Sequence, residues 1–208
     1  MPTGSTSPDD LPIPRPRPSL IWIGVVAVLA AIAIWQWLPA LTLIPPIAQI
    51  GGPFGLTDQA GHKVTDKELA GKPYAIFFGY THCPDVCPTT LQDMTGWLTA
   101  LGPDADRLKF VFVTVDPARD TQAAMAEYMK AFDPRIMALT GSESDVRSML
   151  SSFRVYSKKV DVKGSDYAMD HTAAMYLMDG AGHLRTVIGY GEKSDAALAR
   201  LKELINAG

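Results

Sequence analysis

The stretch Thr-His-Cys-Pro-Asp-Val-Cys-Pro, Thr81 to Pro88, holds both cysteines of this 208-residue chain. Two thiols so close can close a disulfide, hold a metal, act as a redox pair, or only pack. Inert packing suits neither the two prolines nor a loop setting. A structural disulfide across so short a loop would constrain little chain and stabilise weakly. The spacing then separates the working chemistries. Thioredoxin-type redox motifs place two residues between their cysteines, whereas here Pro84, Asp85 and Val86 intervene. A closed structural zinc site takes four ligands, so two thiolates would need histidines to complete it.

Four histidines are available. His62 follows Gly61, and His183 follows Asp-Gly-Ala-Gly; both are turn settings that read as solvated. His82 adjoins Cys83, and neighbouring side chains on an extended loop point apart, so it reads as a loop residue beside the site. His171 stands in SDYAMDHTAAMYLM, at the start of an apolar strand. Taken alone, and far along the chain from Cys87, it reads as structural. Met169, Met175 and Met178, in or beside the same strand, read as core packing rather than thioether ligands.

The cysteines follow KPYAIFFGY (Lys72 to Tyr80), a nearly continuous apolar run as expected of a strand buried on both faces. LKFVFVTV (Leu108 to Val115) is a second such strand. Between them, Leu91, Met94, Leu98 and Leu101 make one stripe of an amphipathic helix closed by Gly102-Pro103. Pro88 suits the first helical position, which sets Cys87 at or near the N-cap. There, unpaired backbone N–H groups and the positive end of the helix dipole favour a thiolate.

Around this centre, FGLTDQAGHKVT reads as a hairpin turning at Gln59-Ala60-Gly61. One helix carries Met125, Tyr128, Met129 and Phe132 and stops near Pro134. Another starts at Ser142 and buries Val146, Met149 and Leu150. TAAMYLMDGAGHLRTVIGY is strand, turn and strand, and SDAALARLKELINAG is a closing helix with Ser194 as its N-cap. Strands alternating with helices, then a hairpin and helix, give an α/β fold, a thioredoxin-like sheet with the cysteine motif after its first long central strand. The domain is expected over residues 53–208, large enough for a core without disulfide staples.

The formal net charge of -3 offers no basic surface for nucleic acid, and no acidic tract marks a disordered acidic tail. The N-terminus departs from globular composition. Residues 1–18 hold six prolines without apolar periodicity and are expected to be a disordered cytoplasmic tail. Leu20 to Leu38 carries no charge; at helical rise these residues span about 28 Å, near the hydrocarbon thickness of a bilayer. A cleaved signal peptide would have a shorter apolar stretch and an Ala-x-Ala site. A transmembrane anchor is therefore expected over residues 19–44, with a linker over 45–52. Arg15 and Arg17 precede the span and no Lys or Arg follows until Lys63, so the N-terminus should stay cytoplasmic. The folded domain then lies in a periplasm or a mitochondrial intermembrane space, where oxidised thiols can persist.

FFGYTHCPDVCPTTL (Phe77 to Leu91), VTVDPARDT (Val113 to Thr121) and DHT (Asp170 to Thr172) together resemble the SCO/SenC family of membrane-anchored copper-binding assembly proteins. The likeness runs from about Phe54 to the C-terminal helix, anchor included; Thr172 stands where serine is more usual. The resemblance implies a thioredoxin fold in which Cys83, Cys87 and His171 converge on one copper ion per chain. It thereby reverses the structural reading of His171. It also implies that Asp170 orients the imidazole, and that Asp116, Pro117 and Asp120 shape the surface beside the site. Soft thiolates suit Cu(I), and the added imidazole lets the site accept Cu(II).

The implied role is a non-enzymatic chaperone. It would take copper from an upstream donor protein and deliver it to the binuclear centre of cytochrome c oxidase subunit II, or to another copper enzyme. A membrane tether raises the effective concentration of that encounter. Two other roles stay open. Cys83 and Cys87 could form the redox pair of a thiol-disulfide oxidoreductase that reduces the client's cysteines, and a peroxiredoxin-type peroxidase would share the fold.

Overall fold

The computed structural model describes residues 20–42, 50–162 and 166–207. The chain divides between Ile47 and Ala48 into two units. In the first, helix α1 runs Leu20–Thr42, with side chains described for residues 22–35, all exposed. Among the described residues no helix is long and apolar enough to cross a membrane. The spanning anchor expected over 19–44 is thus not shown. The tail, residues 1–18, and the linker as far as residue 49 lie outside the described residues.

The second unit begins within the expected linker: Ile50 packs on the core, and the Gly51 N–H donates to the Ser152 carbonyl at 3.0 Å. β1 (Gly55–Asp58) and β2 (Lys63–Thr65) form the expected hairpin. A short helix α2 (Asp66–Leu69) follows, closed by a capping box between Thr65 and Glu68. β3 (Tyr74–Gly79) is buried along its whole length and pairs in parallel with β4 (Lys109–Thr114), on either side of α3 (Val86–Leu101). Two strands with no exposed face need apolar side chains at every position, which is why neither run alternates. α4 (Gln122–Tyr128) leads to β5 (Ile136–Thr140), parallel to β4 and not anticipated in the sequence reading.

α5 (Glu143–Ser152) starts one residue after the expected Ser142, which is its N-cap. Next come β6 (Ser157–Val160) and β7 (Ala168–His171), then β8 (Ala174–Met178), β9 (Leu184–Gly189) and α6 (Ser194–Ala207). The main sheet has the order β2-β1-β5-β4-β3-β8-β9, while β6 and β7 form a separate two-stranded ribbon. Met175 and Met178 pair with Phe77 and Tyr74 across β3–β8 and are buried, in keeping with a core role. The hairpins β1–β2 and β8–β9 turn identically. In each, one aspartate carboxylate (Asp58 or Asp179) accepts the N–H groups two and four residues on. Gly61 and Gly182 supply the positive φ, 93° and 81°, that these turns require.

Two local expectations change. α3 begins at Val86 with Asp85 as N-cap, so Cys87 lies inside the first turn and Pro88 is the third helical residue. Proline is tolerated there because those first N–H groups have no partner within the helix. His171 does not start the apolar strand: it ends β7, and Thr172-Ala173 separate it from β8.

Candidate metal centre

The loop from β3 to α3 presents the two thiols differently. Cys83 is half-buried and Cys87 fully buried; neither is in a disulfide. The Cys87 N–H donates to the Cys83 sulfur at 3.4 Å. The open end of α3 therefore supports Cys83, in the loop two residues before the N-cap Asp85, and not Cys87 as the N-cap reading had it.

The third group arrives on the ribbon. Strand alternation puts Met169 and His171 on one face of β7 and Ala168 and Asp170 on the other. The His171 ring sits edge-on to Tyr80, centroids 5.8 Å apart, and to Phe77 at 6.3 Å. Its Nδ1 lies 3.1 Å from the Thr172 carbonyl. A carbonyl only accepts, so Nδ1 carries the proton and the Nε2 lone pair is free. Nε2 lies 3.6 Å from the Cys87 sulfur. The orienting role expected of Asp170 falls instead to this backbone carbonyl: Asp170 is exposed and pairs across the ribbon with Lys158. The Thr172 hydroxyl accepts the Tyr156 N–H at 3.1 Å, a contact serine would also make.

Metal–sulfur and metal–nitrogen bonds of about 2.3 and 2.0 Å give an S···N edge of roughly 3.5–3.8 Å around one ion. The Cys87–His171 gap meets that span. Among the described residues no three His, Cys, Asp or Glu side chains are grouped so that they could hold a metal ion between them. Cys83, Cys87 and His171 form an open cluster of two sulfurs and one imidazole, with Cys83 toward solvent. His82 stays outside it, its Nδ1 3.0 Å from the Thr81 hydroxyl and its ring half-exposed. His62 and His183 remain exposed at their turns.

The thiols divide one proton between them. A hydrogen bond from the Cys87 thiol pulls the Cys83 thiol well below the ordinary range, against partial burial, with the N–H groups of Asp85 and Cys87 adding to the effect. Cys87 moves the other way, pushed up by its bond to Cys83 and by burial. The sulfur that faces solvent is thus the ionised one, the form in which thiols bind metal or attack disulfides.

The sequence profile described as SCO1/SenC matches residues 45–206. The chain belongs to the SCO1/SenC family. It is 40% identical to "Protein sco1" of Schizosaccharomyces pombe over 151 residues, 71% of this chain and 57% of the relative. It is 37% identical to the human "Protein SCO1 homolog, mitochondrial" over 158 residues, 73% and 52% of the two chains. The chain spans about half the length of the curated relatives it matches. Among solved structures, Bradyrhizobium japonicum ScoI with copper bound is 50% identical, with TM-score 0.70 over 74% of this chain and 99% of that one. Arabidopsis thaliana ScoI with copper bound is 36% identical, with TM-score 0.72 over 76% and 99%.

Within this SCO1/SenC domain, the VDPARDT segment acts as scaffold to both halves of the site. Asp120, fully buried, accepts the Thr81 N–H at 3.0 Å and the Thr81 and Thr114 hydroxyls at 2.6 Å each. It thereby ties the start of the cysteine loop to the end of β4. Asp116, also buried, pairs with Arg119 and accepts the Tyr167 hydroxyl at 2.9 Å.

Gly79 is a site residue that the sequence reading missed. A Cβ there would stand 2.6 Å from the Cys87 sulfur, 2.9 Å from the Phe112 ring and 3.0 Å from the Phe77 ring. Only a glycine lets the sulfur lie against β3. The available signal was a glycine ending an otherwise apolar strand, which marks a close approach.

Proposed function

We propose that this domain binds one copper ion through Cys83, Cys87 and His171 and passes it to a copper enzyme, the binuclear centre of cytochrome c oxidase subunit II being the recipient the family resemblance implies. The observation that carries this reading is the 3.6 Å approach of Cys87 Sγ to His171 Nε2 from opposite sides of the site. Relatives at 50% and 36% identity hold copper in their structures. Two thiolates match Cu(I), and the imidazole admits Cu(II). A half-buried Cys83 leaves one edge open, so an incoming thiolate can displace a ligand without the ion being released to water.

The uncharged helix α1 is the proposed tether, with the N-terminus cytoplasmic and the domain facing a periplasm or intermembrane space. Relatives from yeast and human are described as mitochondrial, and others come from Rickettsia. An upstream protein must supply the ion.

The test is copper affinity of the full chain and of His171→Ala, measured anaerobically for Cu(I) and aerobically for Cu(II). Removing a direct ligand should exceed the ~10–100-fold cost of losing an outer partner. Cu(II) binding should therefore weaken by more than about a hundredfold, while the two thiolates hold Cu(I) within about tenfold. Unchanged Cu(II) affinity would remove His171 from the site.

The proton division between the thiols favours a second reading, reduction of a client disulfide. Thiolate Cys83 attacks one client sulfur, releasing the other as a thiolate. Cys87, losing its proton, then attacks the mixed disulfide and leaves Cys83–Cys87 oxidised. His171→Ala would retain that activity and lose Cu(II) binding.

A further inference from the structure

We propose that Arg119 is a positioning residue for His171: it clasps the β6–β7 ribbon onto the domain and so sets whether the imidazole reaches the sulfurs. The proposal rests on the copper reading of the site.

The ribbon needs such a clasp. Among the described residues, β7 has no ladder with the main sheet and pairs only with β6. A two-stranded ribbon by itself is marginally stable. His171 is thus placed by the side chains that grip β7: Met169 packs on the core, and a polar grip comes from the loop after β4. The Arg119 side chain is only 14% exposed. Its Nε donates to Asp116 at 2.5 Å and its Nη1 to the Tyr167 carbonyl at 2.9 Å. Its guanidinium lies 3.7 Å from the centroid of the Tyr167 ring and 5.7 Å from that of Tyr80. Tyr167 closes the ring of contacts by donating its hydroxyl to the other Asp116 oxygen at 2.9 Å.

These contacts hold the entry to β7: Tyr167 stands directly before the strand and four residues ahead of His171, and the Arg119 Nη1 also lies 3.3 Å from the Asp166 carboxylate. Tyr80, which Arg119 also approaches, packs edge-on against the imidazole. A planar cation that pairs with a carboxylate, bonds a carbonyl and stacks on a ring in one pose is work for arginine and not lysine. Loosening it frees the ribbon while leaving both cysteines on their own loop, held through Asp120 and Thr81.

The consequence is a split between oxidation states. Cu(I), satisfied by two thiolates, is held without the clasp; Cu(II), which needs the imidazole, is not. The experiment compares full-length wild type, Arg119→Met and Tyr167→Phe, with His171→Ala as reference. Two readouts are used: affinity for each ion, and amide hydrogen exchange of residues 166–172 in the copper-free chain.

The expected result for Arg119→Met is Cu(II) affinity lower by about 10–100-fold, as for other groups that orient a ligand. Cu(I) affinity stays within about threefold, and exchange in β7 is faster while that of β3 and β4 is unchanged. Tyr167→Phe removes one hydroxyl and should shift both readouts in the same direction by less. It stands in if the arginine variant does not fold. Unchanged Cu(II) affinity and β7 exchange overturn the clasp, as does an equal fall for both ions. If wild type and His171→Ala bind Cu(II) alike, the three-ligand reading itself fails, and the clasp with it.

Discussion

Serine at both Cys83 and Cys87 should abolish useful Cu(I) binding, lowering affinity at least about ten-thousandfold. Four-ligand thiolate and imidazole zinc sites bind with about 10–16 kcal/mol in total, so each thiolate contributes on the order of 3 kcal/mol. Two such losses are about 6 kcal/mol, or more than four decades. Hydroxyl oxygen is a hard donor and does not replace them. The thiols are free, and neither closes a disulfide on which folding depends, so the variant should keep its thermal transition within a few degrees. Competition with a Cu(I) chelator of known affinity measures the loss. Binding as tight as wild type would mean that copper sits elsewhere, and the metal account would be wrong. A variant lacking only the solvent-facing Cys83 should retain part of the affinity, because Cys87 and His171 still face one another at 3.6 Å.

Gly79→Ala should damage stability and site together. Its Cβ would meet the Cys87 sulfur at 2.6 Å, inside any tolerable contact, with two aromatic rings closing the other sides. Neither ring can retreat, because Phe77 and Phe112 are 1% and 0% exposed. Overpacking of this kind costs about 1–3 kcal/mol, and for a chain of this size that lowers the melting temperature by about 2–10 °C. The sulfur must also move, so Cu(I) affinity should fall by about tenfold or more. Gly96→Ala is the internal control. Gly96 is exposed on α3 with nothing within 4 Å of an added Cβ, and alanine there should stabilise by up to about 1 kcal/mol. Calorimetry of the two variants beside wild type separates the effects. A Gly79→Ala protein as stable as wild type, with intact copper binding, would show that the sulfur does not rest where the fold places it.

The buried strands announced themselves in the sequence because every residue of β3 must be apolar, and so did α3 and α5, whose stripes repeat at helical spacing. β5 is harder to see: Ile136–Thr140 is short and follows an Asp-Pro-Arg turn, and its pairing, parallel to β4 and antiparallel to β1, is what makes it a strand. The ribbon was harder still. SKKV carries two lysines and lacks an apolar face, so nothing local separates β6 from a loop. Consequently His171 was read into the neighbouring strand and, without the family resemblance, as structural. The partners of Asp116 and Asp120 were equally hidden. Thr81 lies 39 positions from Asp120, and Tyr167 lies 51 from Asp116. The backbone carbonyl that orients His171, in place of Asp170, was invisible for a different reason. It depends on the direction of one peptide group, which residue types do not encode.

The most direct test of the account is X-ray absorption at the copper edge on the Cu(I)-loaded full chain. It predicts two sulfur scatterers and one nitrogen, with the nitrogen lost in His171→Ala and both sulfurs lost in the double serine variant. A copper environment with fewer than two sulfurs, or a nitrogen that survives removal of His171, would contradict it.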